Sequence, residues 1–331
     1  MLLEVRDLRV QFATSGGALH AVNGVSFALE EGEVLGIVGE SGSGKSVTAH
    51  ALMGLLPENA SLPGGEILYR GRPVRAMSRE ELRRYRGGQV GMIFQEPGRS
   101  FDPIYSIGNT LAETILTHEP QLPEEEVRER SVRLLEEVQV PYARERLGNF
   151  PHQFSGGLLQ RIGIALALAA GPKLLIADEP TTALDVTIQA QIVQLLLSLK
   201  ESRGLSILFI SHNLALVGGL ADRILVMYAG HVLEQGSGVE VLGGPLHPYT
   251  RALLDSHLEF GDHYSTNPLR AIGGTVPDPL HPEPGCPFEP RCPMAVARCR
   301  EGLPGVSSEP RGGQEHLHRC LFAGVKESRR A

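Results

Sequence analysis

The stretch V-L-G-I-V-G-E-S-G-S-G-K-S-V-T-A-H, residues 34–50, decides how the rest of the chain is read. The apolar run Val34 to Val38 predicts a buried strand. Gly39, Gly42 and Gly44 predict a turn, and the residues after Lys45-Ser46 predict the start of a helix. G-x-x-x-x-G-K-S between a strand and a helix is the phosphate-binding loop. Glycines let successive backbone N–H groups curl around phosphate oxygens, and the helix N-terminus adds its partial positive charge. Lys45 is the residue to reach the β- and γ-phosphates, and the Ser46 hydroxyl is placed for Mg²⁺. Gly39, Glu40, Ser41, Gly42, Ser43, Gly44, Lys45, Ser46 and Val47 are therefore the candidate nucleotide-binding residues. The chain holds only four lysines (45, 173, 200 and 326) against 27 arginines. A lysine at this point of so arginine-rich a chain argues for a compact ammonium with a task.

Composition bounds the rest. A length of 331 residues fits two domains, or one large domain with an appendage. At 42% hydrophobic and 21% charged residues, the chain can bury a sizeable core. A net charge of −7 argues against a nucleic-acid binder working through a basic face. The longest nearly uninterrupted apolar run, Ile162–Ala170, falls far short of the ~20 residues of a membrane-spanning helix. The opening M-L-L-E-V-R-D-L alternates like a strand and lacks the apolar segment of a signal peptide. The expectation is a soluble, cytoplasmic protein.

Working outward from the loop, L-E-V-R-D-L-R-V-Q-F (3–12) and L-H-A-V-N-G-V-S-F-A-L (19–29) alternate as antiparallel strands with one wet face do. Phe12 and His20 precede the phosphate loop and are candidates to stack on an adenine, although an aromatic in a strand serves equally as core. G-G-E-I-L-Y-R-G-R-P (64–73) reads as a hairpin and R-E-E-L-R-R-Y-R (79–86) as a helix. V-G-M-I-F-Q-E-P (90–97) predicts a strand ending at Gln95, with Pro97 turning the chain out of the sheet. Residues 104–150 read as a helical insertion. Pro123 suits a first helical position there, and Val127, Leu134, Leu135 and Val138 share one face.

F-S-G-G-L-L-Q-R-I-G-I-A-L-A-L-A (154–169) then opens an apolar helix on a serine and two glycines, a second ready anion site. K-L-L-I-A-D-E-P (173–180) is a buried strand ending in Asp178 and Glu179. Adjacent carboxylates at such a place are costly unless a cation or a reaction uses them. T-T-A-L-D (181–185) leads into an amphipathic helix, and L-S-I-L-F-I-S (205–211) is a strand ending at His212. Polar sites at 39–46, 95, 155–157, 178–179 and 212 thus fall at strand ends or helix starts, where open α/β sheets bind ligands.

In order and spacing these motifs resemble the ATP-binding cassette family across roughly residues 1–255. G-E-S-G-S-G-K-S resembles its Walker A loop, Gln95 its Q-loop glutamine and F-S-G-G-L-L-Q its signature. L-L-I-A-D-E resembles its Walker B strand, A-L-D with Asp185 its D-loop, and His212 its switch histidine. The resemblance implies that Asp178 holds Mg²⁺ with Ser46 and Gln95, and that Glu179 polarises the attacking water. It implies that Gln95 senses the γ-phosphate and that His212 contacts it. Ser155, Gly156 and Gly157 would reach ATP bound to an opposite subunit, so a dimer is implied. Phe154 and Leu158 depart from the usual Leu and Gln of the signature.

Within the family, the run I-A-D-E-P-T-T-A-L-D-V-T-I-Q-A-Q-I, the segment H-P-Y-T-R-A-L-L (247–254) and a cysteine-bearing tail are similar to ATPase subunits of oligopeptide/dipeptide importers. Relatives import nickel or glutathione, and these stay open as cargo. The implied partners are a paralogous ATPase in a heterodimer, two membrane permease subunits and an extracytoplasmic peptide-binding protein, with no nucleic acid. The implied place is the cytoplasmic face of the membrane. A soluble cassette ATPase acting on nucleic acid or ribosomes is the rival class, but the paired cassettes, coiled coils or basic extensions of such proteins are not seen. A regulator that binds ATP without hydrolysing it is a third reading, which Glu179 and His212 oppose.

The expected architecture is an α/β P-loop core with an N-terminal antiparallel subdomain and a helical insertion at about 100–165, together forming a domain of residues 1–255. A cysteine-containing extension occupies 256–331. Its four cysteines, Cys286, Cys292, Cys299 and Cys320, are the only ones in the chain. In a reducing compartment disulfides would not persist. A tail rich in Pro and Gly with little apolar content needs a cross-link or metal to hold a fold. The spacing C-x₅-C-x₆-C-x₂₀-C lacks the C-x₂-C knuckles of structural zinc. Four thiolates suit a [4Fe–4S] cluster, which the resemblance also implies, with Zn²⁺ the alternative and His316 and His318 substitute ligands. Free thiols are the plain alternative.

Overall fold

The computed structural model describes residues 1–96, 98, 101–182, 184–256, 271–311 and 314–324. Pro97, Ala183 of the T-T-A-L-D turn and the first stretch of the expected extension, 257–270, lie outside the described residues.

In chain order, β1 (Leu3–Thr14) and β2 (Gly17–Leu29) are followed by β3 (Val34–Val38), α1 (Lys45–Leu52), β4 (Ala60–Tyr69) and β5 (Arg72–Pro73). Next come α2 (Arg79–Gly88), β6 (Val90–Ile93), α3 (Ile107–His118), α4 (Glu124–Glu137), the single turn α5 (Ala143–Arg146) and α6 (Gly156–Leu168). The chain continues through β7 (Leu174–Asp178), α7 (Val186–Arg203), β8 (Ser206–Ser211), α8 (Leu214–Gly218), β9 (Arg223–Tyr228) and β10 (His231–Ser237). It closes with α9 (Gly238–Gly243), α10 (Pro248–Asp255), α11 (Arg298–Glu301), β11 (Ser307–Arg311) and β12 (Gln314–His318). These elements gather into two compact units.

The first unit comprises the described residues of Met1–Leu29, Val34–Arg75 and Ser211–Ala331. One of its sheets is antiparallel, in the order β2-β1-β4-β5. Alternation sets its faces: Val5, Leu8 and Val10 are buried, whereas Arg6, Asp7 and Arg9 are exposed. Two polar residues stand together at 6–7 because the register slips between Val5 and Leu8, with Asp7 at φ 45°. In the other sheet β3 runs parallel to β9, and β9, β10, β12 and β11 follow antiparallel. Val34, Leu35, Ile37 and Val38 of β3, and Ile224 to Tyr228 of β9, are fully buried, as a continuous apolar run in a covered sheet should be.

The second unit comprises Glu30–Glu33 and the described residues of Ala76–Ile210. Its strands β6, β7 and β8 pair in parallel. The strand predicted to reach Gln95 stops at Ile93, the last residue paired with β7. Phe94 and Gln95 lie beyond it and are exposed. Pro123 caps α4 from outside instead of opening it. The apolar face expected of that helix is present: Val127, Leu134, Leu135 and Val138 are all buried. Arg161 on α6 ties this helical region together, donating to the Val138 carbonyl (3.1 Å), Gln139 (3.0 Å) and Gln191 (3.1 Å).

Candidate functional site

In the first unit, the phosphate loop runs from the end of β3 into α1. Gly39 sits at φ 156°, and a Cβ there would lie 2.1 Å from the Met227 carbonyl oxygen. Gly44, at φ 98°, caps α1, and a Cβ there would lie 2.6 Å from the Ala21 oxygen. These glycines are thus demanded by close backbone approach as well as by dihedral angle. Lys45 is buried, and its ammonium donates to the Gly39 carbonyl (2.8 Å), the Glu40 carbonyl (2.9 Å) and Ser43 Oγ (3.4 Å). The ammonium is therefore held over the loop by backbone oxygens. Ser43 and Gly44 are buried, Ser41 and Gly42 are exposed, and Ser46 and Val47 are half-buried.

Phe12 is half-buried in β1, opposite Leu19 of β2 and Ala60 of β4. His20 shares a hydrogen bond with Gln11 (3.1 Å), and its N–H donates to the Pro279 carbonyl (2.9 Å). His212 follows β8 directly and is exposed.

In the second unit, Asp178 closes β7 and is only 3% exposed. Glu179 leaves the strand at φ 47°, a left-handed conformation that a non-glycine residue rarely adopts. Gln95 Nε2 donates to Glu179 Oε2 (3.0 Å), and Thr182 Oγ1 donates to the same oxygen (2.8 Å). Two residues far apart in sequence are thereby joined, and the carboxylate is oriented by two neutral donors. Ser155 caps α6 by accepting from the Leu158 N–H (3.4 Å), and Asp185 caps α7 by accepting from Ile188 (2.9 Å). The two helix starts are neighbours. A Cβ on Gly157 would lie 3.0 Å from Ile188, and one on Gly156 3.9 Å from Leu184.

The tail adds Phe288, which the sequence did not single out, and places His316, a substitute metal ligand in the sequence reading, against Glu234 instead, all within the first unit. Phe288 is 1% exposed and packs against Tyr228, Tyr249 and His247 with ring centroids 5.3–6.0 Å apart. Little apolar content was expected of the tail, yet its Phe288 completes an aromatic cluster on β9 and α10. Tyr249 donates no charge to this cluster, since burial raises its pKa, and its hydroxyl accepts the Glu40 N–H (2.8 Å). Glu234 of β10 and His316 of β12 form a fully buried pair (2.8 Å).

The four cysteines are half-buried free thiols lining one small cavity together with His247 and Met294. Burial pushes the Cys286 and Cys292 thiols up to about 11 and raises that of Cys320. Opposing this at Cys320, the Phe322 N–H donates to the sulfur (3.4 Å). Among the described residues, however, no group of three or more His, Cys, Asp or Glu is arranged to hold a metal ion.

A family model described as ABC transporter matches residues 22–182, and one described as Oligopeptide/dipeptide transporter, C-terminal region, matches residues 233–299. The chain is 47% identical over 303 residues to the oligopeptide transport ATP-binding protein OppD of Escherichia coli, covering 92% of this chain and 89% of that one. It is also 47% identical over 296 residues to the dipeptide transport ATP-binding protein DppD of Lactococcus lactis, covering 89% and 84%. Among solved structures, the dimeric ATP-binding cassette MJ0796 bound to ADP and Pi matches with a TM-score of 0.64 at 26% identity, covering 71% of this chain and 98% of that one. CbiO1 of Clostridium perfringens matches with a TM-score of 0.63 at 29% identity, covering 73% and 90%. Phosphate loop, buried strand-end acid and tail thus occur in one chain with its relatives' full-length likeness, and the chain belongs to the ABC transporter family, in the branch with the oligopeptide/dipeptide transporter C-terminal region.

Proposed function

We propose that this chain is the ATP-hydrolysing subunit that powers import of di- or oligopeptides through separate membrane subunits. The observation that carries the reading is the Gln95–Glu179–Thr182 arrangement beside a buried Asp178, in a chain with near-full-length likeness to OppD and DppD. In this reading residues 1–255 form the cassette and 256–331 the extension. Nucleotide phosphates are taken by the backbone of 39–46 and by Lys45. Hydroxyl, carboxylate and amide oxygens of Ser46, Asp178 and Gln95 are the hard donors that Mg²⁺ prefers, and the burial of Asp178 gives its charge a reason to be neutralised. Bound Mg²⁺ supplies charge neutralisation at the transferring phosphoryl group.

Glu179 orients the attacking water and takes its proton, Gln95 and Thr182 hold Glu179 in place, and His212 contacts the γ-phosphate. Ser155, Gly156, Gly157 and Asp185 serve the composite interface with a second cassette, for which the dimeric MJ0796 structure is the supporting precedent. A paralogous ATPase is the proposed second subunit, together with two permeases and an extracytoplasmic binding protein. No helix among the described residues is long and apolar enough to cross a membrane, which fits a peripheral subunit on the cytoplasmic face.

The finer reading of the tail is a [4Fe–4S] cluster on Cys286, Cys292, Cys299 and Cys320. The donors fit it chemically: four thiols line one cavity, and the Phe322 N–H already donates to the Cys320 sulfur (3.4 Å). Zn²⁺ on the same four thiols is the alternative. Anaerobic purification with iron analysis tests the cluster. About four irons per chain, lost on Cys→Ser changes, is the expected result. The transport reading is tested by reconstituting the chain with its partners in vesicles. Peptide uptake that depends on ATP and on this chain supports it, and uptake of nickel or glutathione instead would redirect it.

A further inference from the structure

The cysteine loop Cys286–Cys292 carries Arg291, and every donor of that guanidinium is used. Nη1 and Nη2 grip the Glu40 carboxylate in a bidentate pair (2.6 and 3.0 Å). Nη1 also donates to the Tyr228 hydroxyl (3.0 Å), Nη2 to the Ile272 carbonyl (3.0 Å) and Nε to the Gly273 carbonyl (2.8 Å). The Arg291 side chain is 4% exposed, and its guanidinium lies over the rings of Tyr228 and Phe288 at 5.7 and 6.0 Å. Glu40 is the residue after Gly39 in the phosphate loop. Its backbone is held as well, the N–H by Tyr249 and the carbonyl by Lys45. A bare carboxylate in a loop that takes a polyphosphate would repel it. The bond from Arg291 cancels that charge and fixes the residue on which Lys45 rests.

Resting on the nucleotide-site reading above, we infer that Arg291 is a positioning residue for the phosphate loop, supplied by the C-terminal cysteine loop to neutralise Glu40 and so set nucleotide affinity. The tail is then part of the nucleotide site, acting through Glu40 without touching the phosphates.

The test is equilibrium binding of MgADP to the purified full-length chain by calorimetry. Arg291→Gln keeps a donor near the Ile272 and Gly273 carbonyls but leaves Glu40 charged, and should weaken MgADP about tenfold, within the usual range of such couplings. Adding Glu40→Gln to that variant should return affinity to within about threefold of wild type, because the repelling charge is gone. Arg291→Lys keeps the charge but cannot grip Glu40 with two donors, and should weaken MgADP by about threefold, less than Arg291→Gln; where Arg291→Gln does not fold, wild-type affinity in Arg291→Lys overturns the inference. Wild-type affinity in Arg291→Gln overturns the inference, as does a double variant as weak as the single one, which would mean that Arg291 acts only through the fold of the tail. Affinity in Arg291→Lys as low as in a folded Arg291→Gln also overturns it. A wild-type chain that binds no MgADP refutes the nucleotide-site reading itself, and this inference with it.

Discussion

Replacing Glu234 by Ala should loosen the docking of the tail, by an amount the geometry sets. The carboxylate is fully buried and accepts three hydrogen bonds, from the Leu246 N–H (2.8 Å), the His247 N–H (2.8 Å) and His316 Nε2 (2.8 Å). His316 Nδ1 is buried without a partner, so Glu234 carries the ring's whole hydrogen bonding. Removing the carboxylate orphans two buried N–H groups, at about 1–3 kcal/mol each. It also leaves the buried His316 Nε2 without its partner, at a similar cost. Because these contributions share one side chain they do not add, and the net loss should be about 4 kcal/mol. Glu234→Gln, which keeps one acceptor oxygen, should lose about half as much. Urea unfolding of the first unit, with hydrogen exchange at Leu246 and His247 as a local readout, measures both. A loss below about 1 kcal/mol for Glu234→Ala, with protection at those two amides retained, would refute the reasoning.

Three further outcomes follow from the same geometry. Glu179→Gln should lower ATP turnover in the assembled complex by about 10²–10⁴-fold while leaving nucleotide bound, and turnover at the wild-type rate would remove Glu179 from its role. Gly39→Ala should abolish nucleotide binding, because its methyl would meet the Met227 carbonyl at 2.1 Å and the loop would have to move; calorimetry with MgADP checks this. His231 is pushed down to about 4, mainly by burial, with Arg319 and Arg9 adding to the shift. Since the unfolded histidine binds its proton near pH 6.5, the stability from this group is whole above that pH and lost as pH falls toward 4. His231→Gln should remove about 2 kcal/mol of that pH dependence, after allowance for partial exposure, as read from unfolding midpoints across the window.

The candidate site residues could be singled out in the sequence because each falls at the end of an apolar run or the start of a helix. Glycines at 39, 42 and 44 announce a loop whose dihedrals only they adopt readily, and the apolar runs of β3, β7 and β8 announce buried parallel strands. The bond between Gln95 and Glu179 was not read from the sequence, since nothing in either segment points to the other. Arg291 stayed hidden for a different reason. It is one arginine among 27, in a proline-flanked loop, and its meaning comes from Glu40, 251 residues away in sequence. Phe288 and Glu234 were likewise illegible, because a single aromatic or a lone acid carries no periodicity, and His316, read as a substitute ligand, proves instead to be Glu234's buried partner. The misplaced ends, Gln95 as strand and Pro123 as helix, fall within the usual uncertainty of element boundaries.

The hairpin of β11 and β12 has one more consequence, for how the protein behaves in a crowded cell. Through Glu234 and Gln235, β10 pairs with His318 and Leu317 of β12, so the tail covers a strand that would otherwise offer a row of bare N–H and C=O groups. The outermost position passes to β11, S-S-E-P-R, a strand of five residues whose sequence includes a proline, which has no N–H to give. An incoming chain could bond to β10 edge to edge; it finds little to bond to on β11. The cassette thus ends its sheet in a strand that is hard to extend, and the segment carrying the cysteines also keeps the sheet from growing into an aggregate.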